Sequence, residues 1–290
     1  KHIGFIGASG LMGHGMAKNI RAKGFELSLT VHQRLEPVQD LLAAGARRAA
    51  QVADLAACDA VVICVTGSPQ VEAVLTGEHG GLKGLKPGSI VIDCSTAVPT
   101  STVKLAQQVM DAGGRFMDSA MTRTPKEAAA GKLNLLVGGD ADLLAECHAI
   151  LSCFAENIVH AGPIGAGHQM KLLHNYVSLG SVALLSEAAA CARRAGVNPE
   201  TFVQVLSVGG GWGAALDRIK PFVTSGDSSN LRFSVSNALK DLTYYNQMAT
   251  DTHAHHDIAQ AVQATLEWAC QQGDPNAFMP ELIGYLAEKS

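Results

Sequence analysis

Lys171, His174 and Asn175 stand at positions i, i+3 and i+4 of a stretch running from His168 to about Ala195, which has no proline and only Gly180 as a glycine. On a helix those offsets bring three side chains to one face. A lysine ammonium placed there can give a proton to a carbonyl oxygen that gains negative charge during hydride addition. A neighbouring carboxamide can hold the same oxygen or a substrate hydroxyl. The same spacing also suits a solvated lysine and a helix-surface asparagine, so spacing alone leaves both readings open.

A second group of residues points to the hydride carrier such a reaction needs. Gly7-Ala8-Ser9-Gly10-Leu11-Met12-Gly13 follows a short apolar run, Ile3 to Ile6, and precedes a helical pattern that begins at Leu11. Strand, glycine turn and helix set a helix N-terminus against a dinucleotide pyrophosphate, where free N–H groups and the helix dipole favour negative charge. The spacing is one residue longer than the common dinucleotide fingerprint, and a glycine-rich turn without a ligand is the competing reading. Discrimination between the two nicotinamide cofactors depends on the end of the second strand, about 20 residues past such a turn. That position falls on Gln33 in Val31-His32-Gln33-Arg34, with no carboxylate to accept bonds from ribose hydroxyls; Glu36 lies beyond it. Arg34 can pair with a 2′-phosphate and Gln33 can donate to it, so the expected cofactor is NADP(H), with NAD(H) as the alternative.

The elements that must carry these residues follow from periodicity. Up to about residue 160, short apolar runs (2–6, 26–31, 60–65, 89–92, 115–117, 133–137 and 157–159) alternate with helical patterns (11–23, 38–44, 69–75, 99–112 and 141–154). That alternation predicts a doubly wound, mostly parallel α/β sheet. Beyond Gly162 the chain reads as helix throughout: the long stretch bearing Lys171, then 199–207, 214–223, 233–250 and 257–271. The expected organisation is a Rossmann-type domain over 1–162 and an all-α substrate and oligomerisation domain over 163–290. A long helix joins the two.

Composition narrows the function classes. With 22 Lys and Arg against 26 Asp and Glu, the net charge is −4, which argues against nucleic acid and polybasic membrane contact as partners. No apolar run reaches the length of a membrane span. The seven cysteines are scattered, without a Cys-x-x-Cys pair, as in a protein of a reducing compartment; the expected location is the cytoplasm. His253, His255 and His256 cluster at a turn but lack the further Cys or carboxylate ligands of a metal site, and no metal is expected.

Four ordered segments carry a resemblance. Gly4-Phe5-Ile6-Gly7 with Leu11-Met12-Gly13 and Met16-Ala17-Lys18-Asn19 resembles the opening of the β-hydroxyacid dehydrogenase family, which includes 3-hydroxyisobutyrate dehydrogenases. Asp93-Cys94-Ser95-Thr96, the segment Gly165-Ala166-Gly167-His168-Gln169-Met170-Lys171-Leu172-Leu173-His174-Asn175, and Lys240-Asp241-Leu242 are similar to its later motifs in the same order. The resemblance spans essentially the whole chain. It implies Lys171 and Asn175 as catalytic residues, a small hydroxyacid or aldehyde as substrate, and dimers or tetramers built through the helical half. It further implies that Val65 and Thr66 line the cofactor, although Thr66 replaces the family's proline. Thr96 would then contact the nicotinamide ribose, and Lys240 would reach the cofactor near the reacting centre. Trp212 stands where the family has a pocket-lining tryptophan. For Trp212, as for Phe233, the competing role is a core anchor of the helical half.

The departures from the family pattern lie at the substrate. Where the family has Ser-Gly-Gly amides to cradle a carboxylate, this chain has Thr122-Arg123-Thr124. A guanidinium is a planar fork for carboxylate, sulfonate or phosphate groups, and the variant is similar to the branch containing sulfolactaldehyde reductase. Thr122 is bulkier than that branch's glycine, and His174 replaces a more common asparagine. The expected substrate is therefore a small anion (hydroxyacid, semialdehyde, or a sulfonate or phosphonate analogue) bound by Thr122, Arg123, His174, Trp212 and Phe233. Two alternatives remain open: an imine reductase-like enzyme, and a catalytically silent cofactor-binding scaffold.

Overall fold

The computed structural model describes residues 1–31 and 35–288. The chain divides into two compact units, Lys1–Lys171 and Leu172–Ser290. In the first unit, β1 (His2–Ile6), β2 (Glu26–Leu29), β3 (Arg47–Arg48), β4 (Ala60–Ile63), β5 (Ile90–Asp93), β6 (Arg115–Thr122), β7 (Leu133–Gly138) and β8 (Ala155–Gly162) make one sheet. Its order is β3-β2-β1-β4-β5-β6-β7-β8. All neighbours are parallel except β6 and β7. Helices α1 (Leu11–Ala22), α2 (Gln39–Ala43), α3 (Ser68–Thr76), α4 (Pro99–Asp111), α5 (Pro125–Ala129) and α6 (Ala141–Leu151) fill the connections.

Apolar side chains alternate with period two and are buried on both faces, as a helix-covered parallel sheet requires. Ile3, Phe5, Val62, Ile90, Ile92 and Met117 enter one core, while Ile6, Val61, Ile63, Val91 and Phe116 enter the other. The strand order reverses between β1 and β4, so their carboxyl ends open a crevice at the point where α/β sheets take ligands.

α7 (Ala166–Arg194) starts in the first unit and continues into the second. The second unit adds α8 (Pro199–Val208), α9 (Ala214–Ser225), α10 (Val235–Asp251), α11 (Asp257–Gln272) and α12 (Leu282–Glu288) around a core that includes Val182, Leu216, Ile219, Leu242 and Leu266. Among the described residues no helix is long and apolar enough to cross a membrane.

Several expected boundaries need correction. The strand expected to stop at Met117 continues to Thr122 through Asp118 and Ser119, both fully buried. Polar residues ordinarily mark the end of a buried strand, but Asp118 stays inside because its carboxylate is bonded to the start of α7. β3, α5 and α12 have no counterpart among the expected elements; β3 and α5 are only two and five residues long, too short to show a period. The helix expected from Phe233 begins at Val235, because the Ser234 side chain caps it by accepting the Asn237 N–H.

Candidate active site

The glycine turn lies at the sheet's reversal point. Gly10 N–H donates to the Gly7 carbonyl at 3.0 Å, and Gly7 has φ +93°, a left-handed conformation that favours glycine. A Cβ on Gly7 would sit 2.0 Å from the Cys64 carbonyl oxygen, and one on Gly13 would sit 2.2 Å from the Gly7 carbonyl oxygen. Only glycine therefore allows β1, β4 and α1 to approach this closely. The α1 N-cap, Gly10, offers no side-chain cap, and the first turn holds no acidic residue. The N–H groups of the first turn and the dipole end of α1 suit a pyrophosphate, and Ala8, Ser9, Leu11 and Met12 are the residues of this turn that would border it. α1 is locked to α5 by Asn19, whose Nδ2 donates to the carbonyls of Gly15 and Ala128 at 2.8 and 3.0 Å. The residues present fit a dinucleotide.

Val65 and Thr66 follow β4 on the other side of the crevice. The Val65 N–H donates to Ser95 Oγ at 3.0 Å, which ties this loop to the one after β5 that carries half-buried Thr96. Gln33 and Arg34 lie outside the described residues.

Lys171 is half-buried near the start of α7. Asp118 of β6 fixes that start: its Oδ1 accepts the Gly165 N–H at 2.7 Å and its Oδ2 accepts the His168 N–H at 2.8 Å. A buried carboxylate thus caps α7 from the sheet, where the helix dipole favours its charge. A Cβ on Gly167 or Gly138 would strike this carboxylate.

One turn beyond Lys171, Asn175 is buried. Its Nδ2 donates to Asp241 Oδ2 at 2.6 Å, and its Oδ1 lies 2.9 Å from His174 Nδ1. Asp241, 3% exposed, also faces Lys240 Nζ at 3.2 Å. The Lys240 ammonium lies 5.6 Å from the centre of the Tyr244 ring. One carboxylate therefore orients both the amide and a second cation.

At the turn after β6, Arg123 has φ +81°, costly for a residue with a Cβ. Its Nη1 donates to the Lys132 carbonyl and to Glu156 Oε2, each at 2.5 Å, and that bond holds the Glu156 carboxyl below its ordinary range. Both bonds leave through Nη1, so the Nε–Nη2 edge has no hydrogen bond among the described residues. Thr124 and Glu127 cap α5 reciprocally. Thr122 is buried, and its Oγ1 accepts from Asn134 Nδ2 at 3.1 Å.

Trp212 is 72% exposed in the turn before α9, so it is not a core anchor of this chain. Phe233 packs against the core of the second unit. His255 pairs with Asp257 at 3.2 Å on the surface, and among the described residues no group of three His, Cys, Asp or Glu could hold a metal. Local spacing gives no sign of the roles of Asp118, Asp93 and Asp241, although Asp93 and Asp241 lie inside family-like motifs. The chemistry of each is set by a partner 47 to 75 positions away.

Residues 2–162 match the family model for the NAD binding domain of 6-phosphogluconate dehydrogenase. Residues 165–286 match that for the NAD-binding domain of NADP-dependent 3-hydroxyisobutyrate dehydrogenase. The chain is 29% identical over 294 residues to mitochondrial 3-hydroxyisobutyrate dehydrogenase of Mus musculus, covering 99% of this chain and 87% of the mouse protein. It is 33% identical over 226 residues to the NAD-dependent L-serine dehydrogenase of Pseudomonas aeruginosa, covering 77% of this chain and 74% of that protein. The solved structure of the 3-hydroxyisobutyrate dehydrogenase of Mycobacterium tuberculosis with L-serine shares the fold at a TM-score of 0.86 and 22% identity, with 98% of both chains covered.

Proposed function

Because the chain belongs to the β-hydroxyacid dehydrogenase family, and is thereby an NAD(P)-dependent oxidoreductase of CH–OH groups, we propose that it reduces a small anionic aldehyde, or oxidises the matching hydroxyacid, with Lys171 as general acid and base. The observation that carries this reading is the capped start of α7. Two bonds from buried Asp118 fix the turn that bears Lys171, and one turn on the Asp241 carboxylate fixes Asn175. Such over-determined placement is what a proton-transfer group needs.

A nicotinamide held there would supply or accept the hydride at the substrate carbon. Lys171 Nζ gives its proton to the carbonyl oxygen as that oxygen gains charge, and the neutral amine takes a proton back from water. For alcohol oxidation Lys171 removes the hydroxyl proton instead. Asn175 holds the oxygen, and the Nε–Nη2 edge of Arg123 receives the substrate's carboxylate, sulfonate or phosphonate, aided by the Thr122 hydroxyl. Val65, Thr66 and Thr96 would hold the cofactor beside the glycine turn, and the family resemblance assigns Lys240 a cofactor contact as well. NADP(H) is the preferred form in this reading, carried by Gln33 and Arg34. Thiols without disulfide partners fit a cytoplasmic, reducing setting. The exposed apolar residues Met170, Leu173, Val177 and Leu184 of α7 fit assembly with a second copy.

Lys171→Ala tests the mechanism. We expect kcat to fall on the order of 10²–10⁴-fold while the Kd for the reduced cofactor stays within about twofold. A variant that keeps more than half its activity removes Lys171 from the chemistry.

A further inference from the structure

Behind the first turn of α7 lies a buried polar cluster that the proposed reaction does not use. Asp93 ends β5 and is 1% exposed; His168 of α7 is fully buried. Asp93 Oδ2 and His168 Nε2 face each other at 4.0 Å, and neither atom has a hydrogen-bond partner among the described residues. The other ends of both side chains are committed. Asp93 Oδ1 accepts the Ser95 N–H at 2.9 Å. His168 Nδ1 lies 2.7 Å from Thr102 Oγ1, and that hydroxyl donates to the Val98 carbonyl at 3.2 Å. A Thr102 hydroxyl that gives its one proton to Val98 can only accept from His168, and that arrangement puts the ring proton on Nδ1.

The lone pair of Nε2 would then confront a carboxylate oxygen, two acceptors face to face in a dry interior. A proton between them removes the conflict. Charge balance points the same way. Asp93 pairs in register with Asp118 on the neighbouring parallel strand, and two carboxylates this close do not both favour ionisation. Asp118 accepts two backbone N–H groups at a helix N-terminus, whereas Asp93 is supported by Ser95 alone, through its N–H and its hydroxyl. Burial pushes the Asp93 carboxyl up, with His168 opposing and Asp118 reinforcing the shift. The other titratable groups here are the thiols of Cys64 and Cys94, at the ends of β4 and β5. Burial pushes the Cys64 thiol to about 12 and raises that of Cys94, so both stay neutral. α4 contributes only the Thr102 hydroxyl, and Lys171 lies one turn on along α7.

We propose that Asp93 and His168 are a positioning pair that shares one proton between Oδ2 and Nε2, and so fastens the helix turn bearing Lys171 to the Ser95–Thr96 loop on the cofactor side. Asp93 reaches the loop through the Ser95 N–H, and the Ser95 hydroxyl in turn holds the Val65 N–H. His168 precedes Lys171 by three residues. The positioning role rests on the reading of Lys171 as proton donor; the shared proton does not.

Asp93→Asn separates the two claims, because an amide keeps the bond from Ser95 and donates to Nε2 without titrating. Above pH about 6.5 an unfolded histidine gives up its proton while the folded pair keeps one, so native stability falls as pH rises. From pH 7 to 8.5 the unfolding equilibrium constant of the wild type should therefore rise with pH relative to that of Asp93→Asn, by up to about tenfold per pH unit. Parallel profiles for the two proteins overturn the shared proton, and this measurement needs no turnover. For positioning, Asp93→Ala should lower kcat on the order of 10–100-fold, and Asp93→Asn should recover most of that loss at pH 7. Equal loss in both variants, or loss in neither, overturns the positioning role.

Discussion

Arg123 meets two demands that conflict in an ordinary residue: a left-handed backbone and a guanidinium anchored by one nitrogen. Anchoring through Nη1 stiffens the fork, and in the proposed reading its other edge would take an anion at a smaller entropy loss. Arg123→Ala should therefore raise KM for anionic substrates by an amount corresponding to roughly 1.5–3 kcal/mol, with little effect on cofactor binding. Arg123→Gly should raise KM equally yet be about 1 kcal/mol more stable than the alanine variant, since glycine relieves the positive φ. An unchanged KM, or equal loss with neutral aldehydes, would remove the guanidinium from substrate recognition. At this scale the sequence is legible where chemistry follows local spacing. Lys171 and Asn175 lie one helical turn apart, and the structure keeps them so. The Glu156 partner of Arg123 is not legible, because the pairing depends on how β8 and the turn after β6 come together.

The elements are legible where apolar periodicity is unbroken and opaque where buried polar residues are compensated by distant partners. β1 and α6 can be read from their patterns alone. The second half of β6 cannot, because the N–H groups that satisfy Asp118 lie 47 and 50 residues later, at the entry to α7. Glycine positions show the same division. Gly7 and Gly13 announce a turn, and the structure adds the reason: a side chain on either would enter a backbone carbonyl. Gly13→Ala should raise the cofactor Kd at least about tenfold and lower the Tm, because the backbone contact admits no Cβ. Gly210→Ala, where a Cβ would meet nothing within 4 Å, should leave both unchanged. Equal behaviour of the two variants in cofactor titration and thermal unfolding would contradict this account of the turn.

At the scale of the whole molecule, an α/β unit carries the glycine turn and the start of α7, and an all-helical unit carries Asn175, Asp241 and Lys240. This division is legible in the sequence, where alternating strand and helix patterns give way to helix alone. In the proposed reading Gln33 and Arg34 would set the choice of cofactor, and kinetics with both cofactors tests it. One assay asks whether the protein turns over a small anionic carbonyl compound. The purified protein is given NADPH and NADH separately with three- to five-carbon semialdehydes and their sulfonate analogues, and the oxidised cofactors with the matching hydroxyacids, while nicotinamide absorbance is followed. We expect saturable turnover of at least one anionic substrate, with higher kcat/KM for NADPH than for NADH. Cofactor binding with no turnover of any anionic member, or turnover confined to imines, would contradict it.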